Sequence, residues 1–540
     1  MGEARKDLEV LVVGAGPTGL VLALWLSRLG VRVRLIEKLP EPPESSRALV
    51  IQARILEHYA QLGFADEIIA DGLKLQAVNF WASGRKKGRA LFGDAGVGIS
   101  RFPYALIDPQ DAHEYVLIRR LHLSGVEIEW NTELVDFGQT GDGIQATLRR
   151  SDGTEQTCDT AYLAGCDGAH SRVREVLHTG FPGGTYAHTF YVADVEATGP
   201  VMDRELHVAL DEADFLAVFP LKQSGRARLI GTVRQDAAEA KRPMTWDDVS
   251  ESIVTRMRIA VTRVRWFSTY HVHHRVAKSF RQGRAFLLGD AAHIHSPVGG
   301  QGMNTGIGDA VNLAWKLAAV LHEAADATLL DSYEPERVAF AERLVATTDR
   351  FFTFVTRDGA IARFVRLHVA PAVIPAAFAI PSFRRFMFRT ISQTSINYRA
   401  CRFNEGSAGK VKGGDRLPWI QLHLDPQRRS DNFVPLANVD WQVHVYGHPS
   451  AELTRFCTER HLSLHEFPWR TEMRRGGLSR NALYLVRPDG YVAFAAGDGS
   501  PAKLRNYLDA RRLSPFAALG EIEHRTGTTV QPQVVPLFDH

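Results

Sequence analysis

The first forty residues alternate between apolar runs and short polar breaks. Leu8–Val13 is an apolar run interrupted only by Glu9, which is typical of a buried strand. A glycine-rich turn follows, then an amphipathic helical pattern, then a second apolar strand that ends at Glu37. The order strand, helix, strand predicts a βαβ unit, and therefore a parallel sheet, at the start of the chain.

The pattern changes twice further along the chain. Residues 183–282 favour strands, with alternating apolar and polar positions and few long helical stretches. Residues 284–288 then form another apolar run, and residues 303–321 have helical periodicity. We therefore expect a discontinuous first domain, made of residues 1–182 and 283–400 and ending in a helical segment, with a β-rich domain of residues 183–282 inserted into it.

A glycine-rich and basic stretch lies near residue 410. Gly406–Trp419 has no clear periodicity, and it predicts a linker over residues 401–419. Residues 420–540 mix strand and helix patterns and are expected to fold as a further α/β domain. The fold class predicted for the whole chain is α/β.

Composition limits what the chain can bind. Of its 540 residues, 45% are apolar and 23% are charged, and the formal net charge is only +3. This balance argues against nucleic acid and against an anionic membrane as partners, and it favours a small-molecule ligand. The four cysteines are scattered without a CxxC pair, so we expect reduced thiols and a cytoplasmic protein. The sequence leaves open whether the protein forms a homodimer.

One apolar run, Leu367–Phe383, is similar to a membrane segment in composition alone. It holds three prolines and a histidine, and it is shorter than the roughly 20 residues that a spanning helix requires. We expect a buried or interface segment there.

Three glycines, Gly14, Gly16 and Gly19, stand between the first strand and the first helix. In this position the first glycine allows a sharp turn, the second lets a pyrophosphate approach the backbone, and the third lets helix and strand pack closely. Glu37 ends the second strand, where its carboxylate can accept both hydroxyls of an adenosine ribose. The pattern predicts a dinucleotide site and disfavours a 2′-phosphate there. NAD and FAD both remain candidate cofactors.

Two later motifs distinguish between these cofactors. Residues 167–174 form a DGxxSxxR pattern after an apolar strand, and Asp290 stands at the end of another apolar strand. A nicotinamide dehydrogenase has no need of this second acid, whereas the ribityl chain of FAD carries hydroxyls that require an acceptor. FAD is therefore the favoured cofactor, with Asp290 as the acceptor.

With these motifs, residues 8–400 resemble the single-component FAD-dependent aromatic hydroxylases, typified by para-hydroxybenzoate and phenol hydroxylases. The resemblance implies a Rossmann-like FAD-binding domain. It also implies that NADPH or NADH reduces FAD, that O2 adds at flavin C4a, and that the resulting hydroperoxide hydroxylates a phenolic or related aromatic substrate. A flavoprotein reductase or dehydrogenase of the same fold, which inserts no oxygen, stays an alternative.

The resemblance also assigns residues to the cofactor. The DG motif contacts FAD and the nicotinamide cofactor, and the carbonyl of Pro297 lies next to the reacting oxygen, which makes it the catalytic position. Backbone from Gly299 onward passes beside the flavin ring, and the helix that begins near Met303 points its positive N-terminus at the flavin. The cofactor contacts implied in this way are Gly14, Gly16, Gly19, Glu37, Lys38, Arg47, Gln110, Asp167, Asp290, Pro297, Gly299, Gly302, Met303 and Asn304.

The β-rich domain is expected to cover the flavin and to bind the substrate. In para-hydroxybenzoate hydroxylase a serine and an arginine on one strand hold the substrate carboxylate, and the best match here places Phe219 and Leu221 at those positions. Without that clamp, a larger or more apolar phenol is expected. His293 and His295 are interpreted as packing residues, and no metal site is expected.

In the C-terminal part, Gly414–Leu422 and Ala482–Phe494 resemble the thioredoxin-like domain of phenol hydroxylases and related polyketide hydroxylases. A redox-active thioredoxin needs a CxxC pair, and this region holds only Cys457. The domain is expected to serve in packing or dimerisation and not in thiol chemistry.

Overall fold

The computed structural model describes residues 8–43, 48–210, 215–233, 244–249, 251–295, 299–343, 365–422 and 430–514. Two of the predicted site residues, Arg47 and Pro297, lie outside these ranges. The described helices with α geometry are Pro17–Arg28, Ala53–Gln61, Ala65–Asp71, Gln110–Leu123, Arg172–Val176, Glu251–Arg256, Gly302–Leu321, 333–343, Ala370–Ala379, Pro381–Ile391, Ala451–Glu459, Thr471–Arg475 and Pro501–Ala510. None of the helices in this part of the chain is both long enough and apolar enough to cross a bilayer.

The first sheet has six strands and is mostly parallel. Val10–Val13 lies at its centre and pairs in parallel with a strand on each side. In spatial order the strands are Arg281–Gln282, Ala285–Leu287, Tyr162–Gly165, Val10–Val13, Val33–Ile36 and Ile128–Glu129. Helix Pro17–Arg28 packs against helix Gly302–Leu321, which brings residues from distant parts of the chain to the same edge of this sheet. The βαβ unit is therefore confirmed, and so is the Rossmann-like α/β fold class.

Two smaller sheets accompany the first. An antiparallel meander follows the predicted alternation around the turn at Gly153, which has a φ of +82° that favours glycine. Its strands are Thr132–Gln139, Ile144–Arg150 and Glu155–Thr160. The strands of the other small sheet are Val50–Ile51, Leu106–Ile107 and Leu73–Lys74.

The largest sheet has eight strands. In spatial order they are His293–Ile294, Ala260–Val276, Gly183–Thr198, Arg226–Thr232, Phe215–Pro220, Leu206–Leu210, Ala77–Ala82 and Arg85–Leu91. The last two come from a region that the predicted boundaries assign to the first domain. They join through the parallel pairing of Leu206–Leu210 with Ala77–Ala82, a long-range contact that no local pattern indicates. The division into domains stays a prediction.

The two faces of the eight-stranded sheet bury different groups. On one face, Leu216, Val218 and Leu229 pack with Ile253 in an apolar core. On the opposite face, Phe219 lies in a second apolar cluster with residues of the small sheet. This opposite face, called the inner face below, is the one that meets the first part of the chain.

The C-terminal sheet has six strands. In spatial order they are Val411–Lys412, Glu405–Ala408, Val492–Ala496, Leu483–Val486, Gln442–Tyr446 and Ser463–Phe467. Two of these strands lie inside the predicted linker 401–419, so that part of the prediction is wrong. Gly406 has a φ of +79°, and a Cβ there would lie 2.2 Å from the carbonyl oxygen of Ala495. The glycine therefore allows close strand pairing and does not mark a flexible connection.

Helices alternate with the strands of the C-terminal sheet. Gln442–Tyr446 and Ser463–Phe467 are parallel, and Leu483–Val486 is antiparallel to both of its neighbours. This order is compatible with the predicted thioredoxin-like fold, which stays a prediction. Cys457 is buried, and burial raises the pKa of its thiol to about 12, which disfavours the reactive thiolate.

Candidate functional site

The glycine turn is closely packed on one side and open on the other. Gly14 has a φ of +102°, and a Cβ there would lie 2.5 Å from the carbonyl oxygen of Cys166. A Cβ on Gly19 would lie 1.9 Å from the carbonyl oxygen of Gly14, whereas a Cβ on Gly16 would meet nothing within 4 Å. Two glycines are thus required by packing. Gly16 leaves the backbone open to a pyrophosphate at the start of helix Pro17–Arg28, as an FAD site needs.

Glu37 is oriented by the backbone of this turn. Its Oε2 accepts a hydrogen bond from the amide of Ala15 at 2.8 Å, and its Oε1 accepts one from Leu39 at 3.1 Å. The carboxylate is half-buried, and Lys38 beside it is exposed. Each carboxylate oxygen can accept a further bond, so both are placed to receive ribose hydroxyls beside the glycine turn.

The DG motif forms a loop and a short helix after strand Tyr162–Gly165. Asp167 accepts a hydrogen bond from the amide of Val173 on Oδ2 at 3.1 Å, while its buried Oδ1 has no partner in the described part of the chain. Burial raises the pKa of this carboxyl. Ser171 caps the short helix by accepting from the amide of Arg174 at 3.0 Å. Oδ1 of Asp167 is therefore placed to accept a hydrogen bond from a ligand hydroxyl.

The GD motif lies in a tight turn after strand Ala285–Leu287. Asp290 is exposed there, so a ribityl hydroxyl can reach it. Gly289 has a φ of +58°, and a Cβ there would lie 2.7 Å from Oγ1 of Thr18 on the first helix. A Cβ on Gly306 would lie 2.3 Å from the same atom. The turn and both helices therefore meet at Thr18 with no room for a side chain.

A buried ionic cluster supports this turn from below. Asp309 accepts from the amide of Gly289 at 3.0 Å, from Nε2 of His293 at 2.7 Å and from Nε of Arg337 at 2.5 Å. Burial alone acts to raise the pKa of Asp309, but the charges of Arg337 and His293 outweigh it and hold that pKa below its usual range. His293 is thus a structural residue, as interpreted from the sequence. Its partner is a carboxylate that the sequence did not indicate.

The segment Gly299–Asn304 is fixed to the small sheet. The side chain of Asn304 accepts from the amide of Gln52 at 2.8 Å and donates to the carbonyls of Val50 and Gly300, both at 2.7 Å. Gln52 in turn donates from Nε2 to the carbonyl of Gly299 at 3.0 Å. The side chain of Asn304 is therefore used within the protein, so the predicted cofactor contact concerns its backbone amide in the first helical turn. Gln52 was missed by sequence reasoning.

Helix Gly302–Leu321 begins at Gly302, one residue before the predicted start at Met303. Asn304 and Thr305 in its first turn are fully buried, and Met303 is packed against the core. The first amides of a helix have no partner within the helix, so this N-terminus offers donors and a positive dipole end to the flavin ring.

Gln110 is the first residue of helix Gln110–Leu123. Its Nε2 donates to Oε1 of Glu114 at 2.6 Å, one helical turn away, which leaves the carbonyl oxygen of Gln110 to accept from a ligand. Burial raises the pKa of Glu114 to about 7, and the negative charges of Asp111 and Glu37 add to the shift. Glu114 was missed by sequence reasoning, although its spacing of four residues from Gln110 is the available signal.

The inner face of the eight-stranded sheet forms an apolar wall. Phe219 and Leu221 lie in one cluster with Leu49 and Ile107. Strand register places further residues on the same face: Phe190, Val192, Asp194, Arg228, Ile230, Trp266, Ser268 and Tyr270. Several of these side chains remain half-exposed although they point inward, which indicates space beside them.

One buried cation lies on this wall. Arg228 pairs in register with Phe219, and its guanidinium binds both carboxylate oxygens of Asp194, at 2.7 and 2.8 Å. It also donates from Nη1 to the carbonyl of Ala48 at 3.1 Å. Sequence reasoning missed Arg228, because only the strand register shows that it faces inward. Asp194 already neutralises its charge.

Comparisons with known proteins match an FAD-binding domain to the same part of the chain. A family model described as an FAD binding domain matches residues 7–348. Pentachlorophenol 4-monooxygenase of Sphingobium chlorophenolicum is 32% identical over 435 residues, covering 77% of this chain and 76% of that protein. The 12-dehydrotetracycline 5-monooxygenase/anhydrotetracycline 6-monooxygenase of Streptomyces rimosus subsp. rimosus is 31% identical over 528 residues, covering 93% and 98%.

A solved structure shares the whole architecture. The anhydrotetracycline hydroxylase from Streptomyces rimosus superimposes with a TM-score of 0.75 at 27% identity, covering 94% of this chain and 99% of that chain. The family model spans well over half of the sequence, and the glycine turn, the DG loop and the GD turn all lie within the matched residues. The chain therefore belongs to this FAD-binding family and is an FAD-dependent monooxygenase.

Proposed function

We propose that this enzyme uses NADPH or NADH, O2 and bound FAD to hydroxylate a phenolic aromatic compound held between the flavin and the inner face of the eight-stranded sheet. The observation that carries the proposal is the joining of the DG loop and the GD turn by Arg174, in a chain whose eight-stranded sheet has an apolar inner face. Relatives whose names specify pentachlorophenol and anhydrotetracycline support an aromatic substrate.

The chain's own residues bind and orient the cofactor. FAD supplies electron transfer and oxygen activation when bound. Glu37 and the glycine turn hold its ADP half, Asp290 and Gln110 accept from its ribityl chain, and the first turn of helix Gly302–Leu321 stabilises negative charge on its ring. The apolar inner face excludes water from the ring. A role for the Pro297 carbonyl next to the reacting oxygen stays a prediction.

The wall also supports a class of substrate. The aromatic side chains of Phe219, Trp266 and Tyr270 lie on the inner face. The nearby Arg228 is already paired with Asp194. A free carboxylate on the substrate would find no unpaired cation among these residues. The proposed substrate is therefore a neutral, largely apolar phenol with more than one ring, stacked on the wall.

The C-terminal sheet is proposed to stabilise the flavin-binding part and not to perform thiol chemistry. Arg416 contacts Glu57, and Arg487 donates to Glu336 at 2.7 Å, so buried ion pairs join the two parts. Cys457 has a raised pKa and no cysteine partner. A cytoplasmic location and a homodimer are compatible with this proposal.

The test is NADPH and NADH oxidation by the FAD-loaded enzyme against phenols of one to four rings, under air containing ¹⁸O2, with mass spectrometry of the products. We expect a phenol that accelerates oxidation of the nicotinamide and gains one ¹⁸O atom. Rapid reduction of another acceptor, with no label in any organic product, would instead establish the reductase of the same fold. The ratio of the oxidation rates of NADPH and NADH identifies the preferred electron donor.

A further inference from the structure

Two consecutive helices, Ala370–Ala379 and Pro381–Ile391, lie at the edge of the eight-stranded sheet. Ala370–Ala379 packs on the edge strand Arg85–Leu91, where a Cβ on Gly88 would lie 2.3 Å from the ring of Pro375. Phe378 contacts Phe92 in a tilted arrangement, with ring centroids 4.7 Å apart. Buried aromatic contacts thus fix the helices to the protein by one side, while their other sides face outward.

The outward sides are apolar. The exposed fractions are 56% for Val373, 55% for Ile380, 62% for Phe386 and 58% for Val97 in the loop beside them. Val373 lies in the first helix, and Ile380 lies at the junction between the two helices. Single exposed apolar residues are ordinary, but four large ones on packed neighbouring elements mark an interaction surface.

Cations surround these apolar side chains. The charged residues of the edge strand and of helix Pro381–Ile391, with their immediate ion-pair partners, are Arg85, Lys86, Lys87, Arg89, Arg384, Arg385, Arg389, Asp94 and Glu205. Seven cations against two acids leave five net positive charges, more than the +3 of the whole chain. Burial, and then the charges of Arg385 and Arg416, lower the pKa of Arg389, as expected where like charges crowd. We call the exposed apolar residues and these cations the basic apolar face.

We propose that the basic apolar face docks onto the surface of an anionic lipid membrane. A bilayer surface offers hydrocarbon for Val373, Ile380 and Phe386 and negative headgroups for the surrounding arginines and lysines. A second copy of the chain is a poorer occupant, because a symmetric contact would bring five net positive charges against five. The low net charge of the chain had argued against a membrane, but charge concentrated on one face reverses that expectation.

The basic apolar face lies close to the proposed substrate site. Phe92 touches Phe378 of the docking helices and also packs against the cluster that contains Phe219. The basic apolar face therefore lies directly outside the apolar wall of the proposed substrate site. An apolar phenol dissolved in the bilayer would start close to that wall. The docking itself does not depend on which substrate is used.

The experiment is flotation of the FAD-loaded full chain with vesicles of neutral phosphatidylcholine, with and without phosphatidylglycerol. We expect binding only to the anionic vesicles, and loss of binding in about 0.5 M salt because the Debye length shortens to a few ångströms. The variant Arg385→Glu/Arg389→Glu should bind at least about 25-fold more weakly, since each cation near the surface contributes about a factor of five. Phe386→Glu should also reduce binding by tenfold or more.

Matched controls separate a docking face from general charge. Arg455→Glu/Arg474→Glu changes the total charge equally, and Leu123→Glu alters an apolar residue that is 74% exposed on another helix. Both should bind vesicles like the wild type, and all variants should keep flavin content and thermal midpoint. Equal weakening by the controls, or no binding to anionic vesicles, would overturn the proposal. A wild-type dimer that Phe386→Glu converts to a monomer without vesicle binding would assign the face to a second copy instead.

Discussion

The guanidinium of Arg174 donates from Nη1 to the carbonyl oxygen of Ala291 at 2.9 Å, and from Nη2 to the carbonyl of Ala169 at 2.8 Å. One side chain thereby joins the loop that carries Asp167 to the turn that carries Asp290. These two acids are more than 120 residues apart in the chain, and both are predicted to face the same cofactor. Arg174 thus adds a side-chain link between two motifs whose preceding strands are paired in parallel.

Replacing this cation should loosen the cofactor site. Arg174→Met removes two charged hydrogen bonds at a half-buried position, so FAD affinity should fall about tenfold to a hundredfold. Fluorescence of released FAD on titration of the apoprotein gives the Kd. Arg172→Met, on the same short helix but bonded to Val135, serves as the control and should retain wild-type affinity. Wild-type FAD affinity in Arg174→Met would show that the two loops are held together by other contacts.

Asp290 is the predicted acceptor for the ribityl chain. Asp290→Ala leaves those hydroxyls without this partner, so FAD should dissociate during purification and its Kd should rise about tenfold or more. Flavin content by absorbance, compared with the exposed-acid control Asp159→Ala, is the measurement. Full flavin occupancy in Asp290→Ala would contradict the placement of the GD turn against the cofactor.

The ion cluster under the GD turn should matter for stability more than for chemistry. Asp309→Leu strands the buried charge of Arg337, and the loss in free energy of unfolding should be about 3 to 5 kcal/mol. The double variant Asp309→Leu/Arg337→Met removes both charges and should recover much of that loss. Urea unfolding monitored by fluorescence compares the three proteins. A double variant as unstable as Asp309→Leu would show that the pair contributes by packing and not by charge.

The wall should select substrates by size. Phe219→Trp narrows the space beside the inner face, so kcat/KM for a phenol of several rings should fall about tenfold to a hundredfold relative to a single-ring phenol. Leu221→Met conserves volume and should leave that ratio near its wild-type value. Steady-state oxidation of the nicotinamide with each phenol gives both constants. An unchanged ratio in Phe219→Trp would place the substrate elsewhere.

Local sequence was sufficient for the cofactor motifs because each one is a short strand, turn and helix whose glycines have single steric reasons, as at Gly14 and Gly19. Pairings between distant segments could not be predicted in this way. The strand Ala77–Ala82 joins the large sheet only through Leu206–Leu210. The linker prediction failed for a related reason, since glycines that permit close strand pairing, such as Gly406, look like flexible ones in a sequence.

The same limit applies to partners of charged residues. Arg228 and Asp194 are 34 residues apart, and only the register of two long strands shows that they face each other. Arg337 and Asp309 are likewise joined through helix packing. Residue type indicates that a buried charge needs a partner, but the fold decides which one.

Asp108 is a buried acid without such a partner. It is 1% exposed, and neither carboxylate oxygen has a hydrogen-bond partner in the described part of the chain. Burial raises its pKa to about 7, and the charges of Asp71 and Asp111 add to the shift while Lys222 opposes it. The folded protein therefore keeps a proton on Asp108 between about pH 4 and pH 7, where the unfolded chain has already lost it. Stability from this group falls as pH rises through that window.

Asp108→Asn should remove this dependence, since an amide does not ionise. Between pH 5 and pH 8 the variant should gain stability relative to the wild type by up to roughly 2.7 kcal/mol, because about two of the roughly three pKa units of the shift lie between pH 5 and pH 7. Buried histidines such as His113, whose pKa burial lowers to about 3, act in the opposite direction, so only the difference between variant and wild type isolates Asp108. Urea unfolding at both pH values measures it, with Asp159→Asn as the control. A difference between Asp108→Asn and the wild type that does not change with pH would show that Asp108 is ionised throughout the window.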